Sequence, residues 1–215
     1  MLRTAIGRYE HTRALEDGRV RSHRLRLDLV DVSPVHRAFR PMVNDLAFDV
    51  SEMALVTYVL ARAAGRPLVG LPVVLMRNSP HTALVGRPGS GPRSPRDLAG
   101  AAIGVRSYTQ TTGVWVRAIL EEQYGVDLAT LRWVTLEGAH VDGFRDPPSV
   151  ARAAPGQTLE GLLRAGEIDA AIGLGAGSAA EFRPLVPDGE RETADWSRRT
   201  GIMPINHVVV VKAAV

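Results

Sequence analysis

The stretch AAIGVRSYTQTTGVWVRAILEEQYG, residues Ala101–Gly125, places an apolar run directly before a helical pattern. The run Ala101–Val105 has the length and composition of a buried strand. Six polar side chains, Ser107–Thr112, stand where the following helix would expose unpaired backbone N–H groups. A strand that leads straight into a helix is the repeating unit of an α/β protein, so this stretch predicts that class.

The same alternation continues outward along the chain. Ser33-Pro34, Ser51-Glu52 and Ser94-Pro95 each set a capping hydroxyl beside a proline or an acid and predict helix starts. The apolar runs predicted as strands are Leu2–Ile6, Arg24–Val30, Ala47–Val50, Val69–Met76, Ala101–Val105, Leu131–Thr135, Ala170–Leu174 and His207–Val211. We therefore expect an α/β fold with largely parallel sheets.

Three segments read as connections. Gly86–Pro95 is rich in Gly, Pro and Ser, and His140–Gly156 is too polar for a core element. Within the second segment, His140 and Asp142 lie either on the surface or over a cleft. GLGAGS, Gly173–Ser178, has the spacing G-x-G-x-G rather than that of a dinucleotide loop, so it is predicted to be a turn.

Composition limits the classes of function. The chain has 215 residues, no cysteine and a formal net charge of +3, which excludes disulfides and thiol nucleophiles. Basic residues are not interleaved with aromatic ones, so a solvated basic face is favoured over nucleic-acid binding. No metal-binding histidine spacing occurs, and we predict neither metal nor cofactor. The first residues lack an apolar signal core and no run could span a bilayer, so we expect a cytoplasmic protein without a membrane partner.

Seven segments follow one another in a distinctive order and spacing. They are YEHTRALEDGRV (Tyr9–Val20), FDVSEMAL (Phe48–Leu55), PVVLMRNSPHT (Pro72–Thr82), SPRDLAGAAIGV (Ser94–Val105), YTQTTGVWVRAILEEQYGV (Tyr108–Val126), RAGEIDAAI (Arg164–Ile172) and TGIMPINHVVV (Thr200–Val210). Together they resemble the 4,5-dihydroxyphthalate decarboxylase family. The resemblance runs from Tyr9 to Val211 and implies the two-lobed fold of type 2 periplasmic binding proteins, with a hinged cleft that holds the ligand. It implies lobe one at 1–84 plus 203–215 and lobe two at 85–202.

The sequence departs from the family pattern in one motif and in its length. The family's PVFPSR-x-FRHS keeps Arg77 and His81 here, but Met76, Ser79 and Pro80 replace a serine, a phenylalanine and an arginine. The sequence therefore does not identify which carboxylic acid the chain binds. Family members continue past the HVVVV strand, so lobe one is either complete alone or completed by a second copy, and the second alternative predicts a homo-oligomer.

The predicted binding residues are those suited to an anion. Arg77 follows an apolar strand, at the carboxyl end where ligands collect, and its planar fork suits a carboxylate. Thr111 matches a family threonine and stands with Thr112 at a helix N-terminus, which favours anions. Ser51 and Tyr108 complete the predicted set of substrate-binding residues.

The predicted catalytic residues are two histidines and one acid. His81 and His207 match family histidines, one at each expected crossing between the lobes, and histidine exchanges protons near neutral pH. Glu52 is predicted to begin a helix. There it either favours the helix dipole or orients a histidine or contacts a substrate hydroxyl.

These residues predict a lyase that removes CO₂, without oxidation, from a small hydroxylated aromatic or related cyclic carboxylic acid. Arg77 and the helix end at Thr111 and Thr112 would anchor the substrate, and His81 or His207 would deliver the proton. Two alternatives remain open. One is a binding protein without catalysis, and the other is a different lyase on the same scaffold, such as the dehydratase related to menaquinone synthesis.

Overall fold

A computed structural model describes residues 1–175, 177 and 181–215, so the predicted GLGAGS turn lies partly outside the described residues. The described chain divides into two compact units. Unit 1 comprises Met1–Arg77, His140–Gly143 and Ile205–Val215, and unit 2 comprises Asn78–Ala139 and Phe144–Pro204. The first change from unit 1 to unit 2 lies between Arg77 and Asn78. The short segment His140–Gly143, which lies between the two stretches of unit 2, belongs to unit 1.

Strands and helices alternate through most of the chain. In chain order they are β1 (Leu2–Ala5), α1 (Arg13–Glu16), β2 (Leu27–Leu29), α2 (Phe39–Asp45), β3 (Val50–Ala54), α3 (Leu55–Ala63), β4 (Leu68–Met76), β5 (Leu84–Gly86), β6 (Ala102–Val105), α4 (Thr111–Glu122), β7 (Arg132–Thr135), β8 (Val150–Arg152), α5 (Leu159–Ala165), β9 (Ala170–Ile172), β10 (Arg183–Pro184), α6 (Gly189–Thr200) and β11 (His207–Lys212). Short 3₁₀ helices are described at Val35–Ala38, Pro80–Ala83, Pro95–Leu98 and Leu128–Thr130.

Unit 1 is built on a sheet with the order β2-β1-β3-β11-β4. The first three strands are parallel, and β11 runs antiparallel between β3 and β4. The carboxyl ends of β1, β3 and β4 therefore meet the start of β11 at one edge of the sheet. The hydrophobic core of this unit includes the fully buried side chains of Phe39, Met42 and Met53.

Unit 2 is built on a sheet with the order β10-β5-β9-β6-β7-β8. Strands β9, β6, β7 and β8 are parallel, β5 runs antiparallel to β9, and β10 runs antiparallel to β5 and so in the same direction as the other four strands. Helices α4 and α5 contribute Leu120 and Leu163 to its buried clusters, beside Ile103 of β6 and Trp133 of β7. Each sheet thus contains one described strand, β11 in unit 1 and β5 in unit 2, that runs against the others.

The predicted helix start at Ser51-Glu52 is wrong. Both residues lie inside β3, and the helix begins only at Leu55. Ser51 caps nothing, because its Oγ donates to the carbonyl oxygen of Glu52, 2.8 Å away. Pairing with β1 on one side and β11 on the other extends the strand through these polar residues.

The expectation that 140–156 contains no core element is also wrong. Val150–Arg152 forms β8 and pairs with β7. Val141 is buried within the core of unit 1, although the residues on either side of His140–Gly143 belong to unit 2. The short strands β5 and β10 were not predicted either, since two or three residues carry too little pattern.

Candidate functional site

A group of hydrogen-bonded residues in unit 1 surrounds Glu52. In the antiparallel pair β3–β11, His207 stands opposite Ala54, two residues along from Glu52, so both side chains lie on one face of the sheet. The Nδ1 atom of His207 is 2.5 Å from Oε1 of Glu52. Glu52 is fully buried, whereas 15% of the His207 side chain is exposed.

Glu52 receives three hydrogen bonds. Besides the His207 contact, the Tyr9 hydroxyl donates to Oε1 at 2.7 Å and the Gly7 backbone N–H donates to Oε2 at 2.8 Å. Burial alone would raise the pKa of this carboxyl, but the bonds from His207, Tyr9 and Gly7 outweigh it and hold the pKa below its ordinary value. Glu52 is therefore a buried carboxylate at neutral pH.

The state of Glu52 fixes the tautomer of His207. An ionised carboxylate only accepts hydrogen bonds, so Nδ1 of His207 carries a hydrogen and Nε2 is the atom that can gain or lose a proton. No described residue hydrogen-bonds this Nε2 atom. The edge contact with Phe39, at 5.2 Å between ring centroids, further fixes the imidazole plane. A carboxylate behind a histidine is an arrangement suited to proton transfer.

Tyr9 and Gly7 were not among the predicted site residues. They belong to a tight segment, residues 7–12, that follows β1, and we call it the Gly7–Thr12 turn. The only sequence signal for it was the inclusion of Tyr9 in the resemblance to the family. A glycine and a tyrosine just after a parallel strand also stand at the edge where ligands collect.

Two further predicted residues belong to unit 1. Arg77 follows Met76, which pairs with His207, so the arginine and the histidine occupy the same edge of the sheet. Arg77 is exposed, and no ion pair to it is found among the described residues. Ser51 is fully buried with its hydroxyl bonded to the neighbouring carbonyl. The structure thus brings Glu52 and His207 together and places Arg77 beside their strands.

A cavity of about 680 Å³ lies at the same end of unit 1. Gly7 and Tyr9 line it together with Leu29 and Val30 at the end of β2. Arg8 stands at this cavity within 3.4 Å of Asp31 and 3.9 Å of Glu16. The cavity therefore combines apolar walls with the tyrosine that holds Glu52.

His81 lies in unit 2, whereas the Glu52 group lies in unit 1. Its Nδ1 atom is 2.9 Å from the Thr193 hydroxyl, and its Nε2 atom is 3.0 Å from Oε1 of Gln123. The side chain is buried, and burial lowers its pKa. Both ring nitrogens are therefore engaged, one by a residue of α6 and one by the residue that follows α4.

The hydroxyl-rich entrance of α4 is also within unit 2. Thr111 and Thr112 are the first two residues of the helix and are buried. The hydroxyls of Ser107 and Thr109 hydrogen-bond each other at 3.2 Å, and the Ser107 hydroxyl also bonds the Gly138 carbonyl oxygen. Several of these hydroxyls therefore hold the loop that leads into the helix.

Tyr108 packs into the interior of unit 2. It makes an edge contact with Trp133, and the Arg117 guanidinium lies 4.0 Å from its ring centroid. This cation–π contact, with a hydrogen bond from Arg117 to the Tyr108 carbonyl, gives the tyrosine a packing role in the structure.

Neither a metal-binding cluster nor a membrane-spanning helix is found among the described residues. No cluster of three histidine or acidic side chains there is placed to hold a metal ion. Among the helices described, none has the length and apolar character needed to cross a bilayer.

Comparison with solved structures defines the class of fold. The periplasmic aliphatic sulphonate binding protein from Escherichia coli superposes with a TM-score of 0.60 at 14% identity. The match covers 95% of this chain and 60% of that protein. The chain therefore has the two-lobed α/β fold of periplasmic binding proteins, as the sequence predicted.

Sequence comparison identifies the family within that class. The 4,5-dihydroxyphthalate decarboxylase of Comamonas testosteroni is 32% identical over 230 residues, which cover 98% of this chain and 68% of the relative. The enzyme of the same name from Pseudomonas putida is 32% identical over 92% of this chain and 81% of its own length. The chain belongs to the 4,5-dihydroxyphthalate decarboxylase family, whose curated members are carboxy-lyases. No family model matches the chain.

Proposed function

We propose that the chain decarboxylates a hydroxylated aromatic acid, with His207 as the proton donor and Glu52 as its buried partner. One observation carries this proposal: a fully buried carboxylate holds Nδ1 of a partly exposed histidine, in a member of a decarboxylase family. Such a pair can present a proton on Nε2 and stabilise the resulting charges.

The chemistry follows from the needs of an aromatic acid. A hydroxyl ortho or para to the departing carboxylate lets the ring carbon accept a proton from His207 Nε2, because the hydroxyl oxygen, which keeps its hydrogen, carries the resulting positive charge as a protonated ketone. The bond to the carboxylate then breaks, its electron pair restores the aromatic ring and the neutral hydroxyl, and CO₂ leaves. The net change is one proton taken up and one CO₂ released, and His207 regains its proton from water.

Arg77 is the proposed anchor for the substrate. A group that bound the departing carboxylate tightly would stabilise the ground state more than the transition state, in which that charge is being lost. A second carboxylate or a ring hydroxyl is therefore the better partner for Arg77, whose planar fork can bind it at two points. Thr111 and Thr112, buried at the N-terminus of a twelve-residue helix, remain the proposed binding residues of unit 2.

The first test follows substrate loss and CO₂ release together over a panel of hydroxylated benzoic and phthalic acids. The panel includes 4,5-dihydroxyphthalate, the acid in the names of both relatives. We expect His207→Gln to lower turnover about 10²–10⁴-fold with a small change in KM, since it removes the proton donor. Arg77→Ala should mainly raise KM. His23→Gln, at an exposed histidine, is the matched control and should keep full activity.

The outcomes separate the competing functions. Full turnover in His207→Gln would move the proton donor to another residue, with His81 the first to test. Saturable binding without turnover would favour the non-catalytic binding protein, which the fold supports because the sulphonate-binding structure shares it. Turnover without CO₂ would indicate another lyase. A cytoplasmic location and assembly with a second copy stay predictions of the sequence.

A further inference from the structure

We propose that Tyr9 is a positioning residue for His207 and that it acts through the Glu52 oxygen that both side chains share. The inference deepens the proposed function, since it concerns the same histidine. The Tyr9 hydroxyl touches Glu52 rather than the reacting nitrogen of His207.

The shared oxygen is the first argument. Oε1 of Glu52 accepts from Tyr9 at 2.7 Å and from His207 at 2.5 Å, while Oε2 accepts from Gly7 at 2.8 Å. With both oxygens bonded, the carboxylate cannot rotate without losing a hydrogen bond in a fully buried position. The direction in which Oε1 faces His207 therefore depends on Tyr9.

The rigidity of the Gly7–Thr12 turn is the second argument. The Tyr9 backbone N–H donates to the Thr12 hydroxyl at 2.9 Å, and the Thr12 backbone N–H donates to the Tyr9 carbonyl at 3.1 Å. The Tyr9 ring also stacks on His11, with 5.1 Å between centroids. A Cβ at Gly7 would lie 2.5 Å from the same ring, so the glycine is needed for this approach. The backbone thus holds the hydroxyl in place.

Protonation supports the same role. Burial, followed by the bond to Glu52, raises the pKa of Tyr9, so the phenol keeps its hydrogen and remains a donor. Loss of this donor would make the Glu52 carboxylate more basic and strengthen its attraction for a protonated His207. The other titratable or charged groups around the pair are His11 on the Tyr9 ring, His140 on the Phe39 ring and Arg77 after β4.

The experiment compares Tyr9→Phe with wild type by NMR titration of the His207 ring, assigned with His207→Gln. We expect the His207 titration midpoint to rise by about half to one pH unit, the scale of one lost hydrogen bond. Tyr58→Phe is the matched control from the same unit, because no described carboxylate bonds its hydroxyl. An unchanged or lowered midpoint in Tyr9→Phe would overturn the inference, because a tyrosine that only packs would not move it in this direction.

A second variant guards against a folding defect. Gly7→Ala keeps the Tyr9 hydroxyl but forces its ring to move, so it should raise the His207 midpoint in the same direction. Where an acid of the panel is turned over, the alkaline limb of the kcat profile should shift upward in both variants. The NMR comparison needs no substrate. A panel without CO₂ release would therefore count against the proposed function, while an unmoved His207 midpoint counts against the role of Tyr9.

Discussion

Histidines 81 and 207 show how the surroundings of one residue type decide its use. Both are histidines that match the family pattern, and both were candidates for the proton donor. His207 keeps one nitrogen without a partner among the described residues and has a carboxylate behind the other. Both ring nitrogens of the buried His81 hydrogen-bond neutral side chains. This predicts that the free energy of unfolding depends on pH through His81.

Stability should fall as the pH drops through the titration of His81. Burial lowers the pKa of His81 from its ordinary 6.5, Arg199 acts in the same direction, and Gln123 and Glu192 oppose them. Below about pH 6.5 the unfolded chain takes up a proton that the folded chain resists, so the free energy of unfolding decreases towards lower pH. The contribution of neutral His81 to the free energy of unfolding is fully present above about pH 6.5. Urea unfolding between about pH 7.5 and about pH 5 measures the slope.

The matched variants isolate this histidine. His81→Gln should cost about 1–3 kcal/mol at neutral pH, since Thr193 and Gln123 lose a buried partner. It should also flatten the dependence of unfolding free energy on pH. His23→Gln, at an exposed position, should leave the slope as in wild type. An equal slope in His81→Gln would show that other groups cause the pH dependence.

Sequence reasoning selected these residues as candidates but did not identify their hydrogen-bond partners. Residue type and position after a strand selected Glu52 and Arg77, and the resemblance to the family selected His207. The pairing of Glu52 with His207 depends on the register of two strands that are far apart in the chain, which no local pattern contains. Tyr9 was missed for the same reason, because its partner is distant in sequence.

At the scale of elements, the local sequence pattern predicted secondary structure correctly in long segments with regular hydrophobic periodicity. The strand at Val69–Met76 and the helix after Ser107 are both present, as β4 and α4. It failed at Ser51-Glu52, where a capping signal lies in a strand that two neighbours pair. The hydrogen bonds that extend β3 come from β1 and β11, so tertiary structure overrides local propensity.

The start of α6 gives a prediction at this scale. A Cβ at Gly189 would lie 2.8 Å from the Thr82 backbone nitrogen and 3.0 Å from the His81 carbonyl carbon. Because these are backbone atoms, Gly189→Ala must push α6 away from the Pro80–Ala83 turn, at a cost of about 1–3 kcal/mol. Urea unfolding measures it. Arg191→Ala, on an exposed part of the same helix, is the control, and equal stability of the two variants would contradict the close contact.

At the scale of the whole molecule, each unit has its own buried core. Met53→Ala in unit 1 and Leu163→Ala in unit 2 remove fully buried side chains and should each cost about 2–5 kcal/mol. Hydrogen exchange followed by mass spectrometry should then accelerate mainly in the altered unit. Peptides that cover His140–Gly143 should respond to Met53→Ala rather than to Leu163→Ala. The reverse response would place that segment with unit 2.

The position of β11 has a consequence for how the protein is made. This strand lies between β3 and β4, yet it follows both of them in the chain, with all of unit 2 in between. During synthesis from the amino terminus, β3 and β4 leave the ribosome long before the strand that joins them. Until residues 207–212 emerge, the sides of β3 and β4 that pair with β11 have no partner strand, and Glu52 lacks its hydrogen bond to His207. Unit 2 can fold during this interval, so the proposed proton donor joins its sheet only after unit 2 has been synthesised.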